Sequence, residues 1–89
     1  MIRSSDFIKR KIGTRYVIVA VGDAVRRFNG MLSINATGSV IWELLDKETD
    51  LPTLVAALTA RYDIDEESAT RDAEAFLEAL RRVGAIVES

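Results

Sequence analysis

The chain predicts an α+β domain in which three N-terminal strands precede three helices, and three observations carry that order. Residues 7–34 hold short β-branched runs between Gly-containing turns, a strand pattern. From residue 35 onward the apolar residues recur at i, i+3, i+4 and i+7, the spacing of a helix face. Asn35, Asp50 and the acidic connection Asp63-Ile64-Asp65 each stand directly ahead of such a stretch, where a short polar side chain accepts from the first orphan N–H groups. With 89 residues and no linker, repeat or low-complexity run, residues 1–89 are expected to form one domain.

Phe7–Ile12 is the first predicted strand, with Ile8, Arg10 and Ile12 on one face and Phe7, Lys9 and Lys11 on the other. Gly13-Thr14 turns the chain into the second, residues 16–21, which is apolar on both faces and is expected to be central and covered on each side. Residues 24–28 fit either a helical turn or irregular chain. Asn29-Gly30 reads as a turn into the third strand, Met31–Ile34, where Leu32 and Ile34 share a face opposite Met31 and Ser33. The first helix spans residues 36–45, with Val40, Ile41, Leu44 and Leu45 as its stripe and Trp42 beside it. Gly38 in its first turn lowers helix propensity and points to close packing or strain. Pro52 sits in the first turn of the second helix, whose stripe is Leu51, Leu54, Val55, Leu58 and Tyr62. Glu66 and Glu67 open the third at its positive end; Ala69, Ala73, Phe76, Leu77, Leu80 and Val83 form its stripe, and Gly84 ends it. Ile86 and Val87 then fold back on the core.

The chain has no His and no Cys. That removes imidazole general bases, Ser-His-Asp triads, thiolate nucleophiles, disulfides and His- or Cys-ligated metals. A catalytic role is therefore the less expected one. The net charge of −2 divides unevenly. Residues 1–30 carry seven cations against two acids, whereas residues 31–89 carry five against twelve. No apolar run approaches the 18 residues of a membrane span and no secretory n-region and h-region pattern appears, so a soluble cytoplasmic protein is expected.

The stretch from Leu32 to Asp46, LSINATGSVIWELLD, resembles the LNxTGxxIWxLLD signature of the PqqD-like family. Tyr62–Glu67 resembles the family's YDVDEE segment, and Asp72–Leu80 its DVExFLxxL helix. The likeness extends over nearly the whole chain, with Ile34 where Leu is usual and Ala20 where Pro is frequent. It implies a small winged helix-turn-helix-like fold that performs no chemistry and needs no cofactor or metal. Such a domain recognises the leader segment of a ribosomally synthesised, post-translationally modified peptide. It presents the core to a modifying enzyme, often a radical S-adenosylmethionine enzyme. The leader adds as a strand to the third strand beside the third helix.

This sequence permits that mode. Met31, Leu32, Ser33 and Ile34 form a short strand without Pro, able to offer its backbone. Asp72, Phe76, Ala79 and Val83 share one flank of the third helix, and the small Ala75 and Ala79 leave a depression for an apolar anchor. Asp72, Arg27 and Arg82 are the candidate polar contacts. The Lys9-Arg10-Lys11 run reads as a solvated strand face or as a counterpart to an acidic leader or enzyme.

A winged-helix DNA-binding regulator is the alternative. The second helix offers only Arg61 as a cation, and the third interleaves Arg71, Arg81 and Arg82 with five acids, a poor match to phosphate. The acids at 63–67 lack the spacing of a calcium loop and are explained by a helix N-terminus. Trp42 reads as a core-boundary aromatic rather than a partner contact. If helices cover one face of the second strand only, its other face is left for homodimerisation or enzyme docking.

Overall fold

The computed structural model describes residues 1–88. Its elements are β1 (Ile2–Arg3), β2 (Phe7–Ile12), β3 (Arg15–Ala20), a 3₁₀ helix (Gly22–Arg26), β4 (Met31–Ile34), α1 (Ala36–Leu44), α2 (Leu51–Arg61), α3 (Glu66–Val83) and β5 (Ile86–Val87). The three expected strands are β2, β3 and β4, an antiparallel sheet with β3 in the middle. The three expected helices follow.

Each predicted cap is formed. The Asn35 side chain accepts from the Gly38 N–H at 2.8 Å, Asp50 from Thr53 at 3.0 Å and Asp65 from Ser68 at 2.7 Å. Gly84 closes α3 in the left-handed region, at φ 77°. The bond to the Thr53 side chain, then that to its backbone, holds the Asp50 carboxyl below its ordinary range; for Asp65 the backbone N–H of Ser68 leads. A lowered folded pKa means that the unfolded chain binds more protons, so this stabilisation exists above the ordinary value of about 3.9 and is lost as pH falls through the folded one. The melting temperature is accordingly expected to hold between pH 7 and 5 and to fall below about pH 4. Asp65→Asn, which keeps a capping oxygen without the titration, should reduce that acid dependence in melts followed by circular dichroism.

Helices cover one face of the sheet. There Phe7 and Ile18 join Ile41, Trp42, Leu45, Leu54, Leu58, Leu77 and Leu80 in one buried cluster. β3 is central as expected, and of its two faces the helices cover this one only. Val17 is 4% exposed yet lies outside that cluster, opposite Arg10 and Ser33 of the neighbouring strands. Trp42 is likewise not beside the stripe of α1 but within the core, with Gly38, Ile41 and Leu45. Val40 and Leu44 of the expected stripe are only half-buried.

Two features went unanticipated. Ile86 does return to the core, but Ile86–Val87 also pair antiparallel with Ile2–Arg3. That small ladder brings Arg3 to α1, where its N–H reaches the Leu45 carbonyl at 2.9 Å and its Nη1 the Trp42 carbonyl at 2.9 Å. Orphan carbonyls at the end of α1 are thereby satisfied. Asn29-Gly30 forms no left-handed hairpin turn, since positive φ falls at Gly13, Gly22 and Gly84 instead. Residues 21–30 are a longer connection whose 3₁₀ helix buries Ala24, and Phe28 meets Phe7 with ring centroids 6.3 Å apart.

Candidate functional site

β4 is an edge strand: β3 pairs one side of it, and among the described residues no strand pairs the other. Alternate residues of it therefore present backbone N–H and C=O groups that no strand pairs along an open edge. Beside that edge begins a trough of about 1150 Å³. Ser33 and Ile34 form its lip, the outward face of α1 its floor, and Arg61, Tyr62, Asp72, Ala75 and Phe76 its far wall. The near wall is the start of β3, with Arg15 and Tyr16.

Gly38 sets the meeting of floor and wall. A Cβ there would stand 3.3 Å from the Phe76 ring and 3.2 Å from the Asn35 cap oxygen, so its role is close approach; its φ is not in the left-handed region. Phe76 is thus seated on α1 with part of its ring left to the trough.

The predicted residues divide in two. Ser33, Ile34, Asp72 and Phe76 come together along the trough. Met31, Leu32, Ala79 and Val83 do not line it. Leu32 and Val83 are half-buried against the core, Ala79 is half-buried, and Met31 is 62% exposed on the far face of the sheet. Arg27 and Arg82 are exposed, the first 3.8 Å from Asp6 and the second 3.5 Å from Glu78.

The run Lys9-Arg10-Lys11 cannot act as one patch, because side chains alternate across a strand. Arg10 points to the open sheet face. Lys9 pairs with Glu43 of α1, donates to Ser39 Oγ at 3.0 Å and lies 5.0 Å from the centroid of the Tyr16 ring. That bond from Lys9 is the main cause holding the Glu43 carboxyl below its usual range. Val40, Leu44, Arg61 and Tyr62 line the trough although the sequence places them in no peptide site, and Tyr16 although the sequence offers it only as part of a docking face of the second strand. The readable signal was the apolar surface of α1, too wide for one buried stripe.

The open sheet face is the second candidate surface. Ile8, Ile12 and Met31 are exposed there, around half-buried Val19 and alongside Arg10 and Arg15, with no acid among the strand residues of that face.

Among the described residues no cluster of Asp and Glu is arranged to hold a metal ion. No helix among them is long and apolar enough to cross a membrane.

The model of the family described as coenzyme PQQ synthesis protein D (PqqD) matches residues 15–86. A solved structure of TbiB1 in complex with the TbiA(beta) leader peptide superimposes with a TM-score of 0.77 at 25% identity, covering 100% of this chain and 98% of that one. No curated protein matches.

Proposed function

Since this chain belongs to the PqqD family, we propose that it binds the leader segment of a ribosomally made precursor peptide and presents that peptide to a modifying enzyme. The observation that carries this reading is the open edge of β4 beside a trough, in a fold shared with a leader-peptide complex. The leader adds to Met31–Ile34 as a fourth strand of the sheet. Its backbone bonds supply affinity that tolerates sequence variation, and side-chain contacts with Asp72, Phe76, Ala79 and Val83 supply selectivity. Arg27 and Arg82 meet charged leader residues beyond the edge.

The chain does no chemistry itself and requires no cofactor; it raises the local concentration of the core peptide at a partner's active site in the cytoplasm. The family resemblance favours a radical S-adenosylmethionine enzyme as that partner. The enzyme docks on the open sheet face, where apolar Ile8, Ile12 and Met31 stand with Arg10 and Arg15, a match for an apolar surface rimmed by acids. A homodimer through the same face would bring Arg10 and Arg15 towards their own copies, so the enzyme is the better occupant.

Fluorescence anisotropy with synthetic leader segments of ribosomally made precursor peptides tests the function. Saturable binding at 150 mM salt is expected, with no shift from duplex DNA even at low salt. DNA binding with a steep salt dependence and no leader binding would overturn it.

A further inference from the structure

We infer that the outer edge of β2 is a second strand-addition site, which takes an extended acidic segment of the modifying enzyme. This rests on the proposed docking of that enzyme at the open sheet face, and gives the contact an edge and a register. β2 lies on the opposite side of the sheet from β4, and among the described residues no strand pairs its outer side. It is paired with β3 over all six residues without a bulge, and it contains no Pro. Of the devices that blunt an exposed edge, bulge, Pro and short length are thus absent, and charge alone is present.

The hairpin decides which groups face outward. Gly13, at φ 64°, and Thr14 form a two-residue loop, so Ile12 and Arg15 are the hydrogen-bonded pair that closes it. At the far end of the ladder the Val21 N–H donates to the Asp6 carbonyl at 2.8 Å, in the same alternation. Ile8, Arg10 and Ile12 therefore turn their backbone groups to β3. Lys9 and Lys11 turn theirs outward, where no described residue bonds them.

The side chains identify the occupant. Arg10 stands on the open face between exposed Ile8 and Ile12, and Lys11 is exposed on the other face. Among the described residues neither cation is in an ion pair, whereas Lys9 is matched by Glu43. A second copy of the chain fits poorly, because antiparallel pairing of two such edges sets the run Lys9-Arg10-Lys11 against itself, and like charges directly opposite are destabilising. An antiparallel strand that answers every position reads, from its N-terminus, apolar, acidic, acidic, free, apolar. These stand opposite Ile12, Lys11, Arg10, Lys9 and Ile8 in turn. At Arg10 the new pair is non-hydrogen-bonded, so its side chains come closest. The leader and this strand then extend one sheet from opposite edges, about 19 Å apart, and both are held at once.

The probe is a short synthetic peptide in which valine, two glutamates, threonine and valine follow in that order. It is titrated to about 1 mM into ¹⁵N-labelled protein, with and without a bound leader segment. The amides of Lys9 and Lys11 should shift, and equally so when the leader occupies β4. Arg10→Glu should weaken the probe about fivefold, and Arg10→Lys should keep most of its affinity. The same peptide with lysines for glutamates should cause no shift. No shift at β2, equal shifts from the lysine peptide, or shifts that the leader abolishes would overturn the second edge and leave leader binding at β4 standing. Shifts at β2 from the probe, with none at β4 from any leader segment, would overturn leader binding and leave the acidic-strand site.

Discussion

Phe76→Ala is expected to raise the dissociation constant for the leader about 30-fold, close to 2 kcal/mol, while the protein stays folded. Phe76 is the large aromatic of the trough wall, held against α1 by the space that Gly38 leaves. An aromatic ring that is half-buried in the free protein and fully covered by ligand has the properties of a binding anchor. Because it is only half-buried, its removal costs less stability than that of a core aromatic. Phe76→Leu should keep most of the affinity. Calorimetric titration of both variants, each shown to be folded by circular dichroism, measures this. An unchanged constant for folded Phe76→Ala would move the site elsewhere.

Trp42→Ala should act on stability instead. The indole is 2% exposed within the core cluster, and the Arg3 guanidinium lies 5.5 Å from its ring centroid. Truncating a buried aromatic costs about 3–5 kcal/mol, much of the margin of a domain this small. A melting temperature lower by at least about 12 °C follows. Trp42→Phe should fall between the two. A variant Trp42→Ala with unaltered melting would mean that the indole serves a partner rather than the core.

The main elements were legible because each carried its own local signal. Asn35, Asp50 and Asp65 cap in place, and the stripe of α3 buries Ala69, Ala73, Leu77 and Leu80 as spaced. Paired strands of two residues have no periodicity to read, so β1 and β5 emerge only from the tertiary fold. Asn29-Gly30 misled because a turn dipeptide also suits an irregular connection, and here ten residues separate β3 from β4. The site was partly legible. The edge strand and Phe76 followed from the pattern and the resemblance. The trough depends on how β3, α1, α2 and α3 meet, and Tyr16 lies too far along the chain from Arg61 and Tyr62 for spacing to group them. The open sheet face was foreseen only as a choice between two faces of β3.

The central claim is that the leader becomes a strand on β4. Amide hydrogen exchange, residue by residue, with and without a leader peptide that the chain binds, tests it most directly. Leader binding is predicted to slow exchange at least tenfold at those amides of Met31–Ile34 that face the open edge, where a new strand replaces water as their acceptor. Slowed exchange confined to α2 or to the open sheet face, with β4 unchanged, would contradict it.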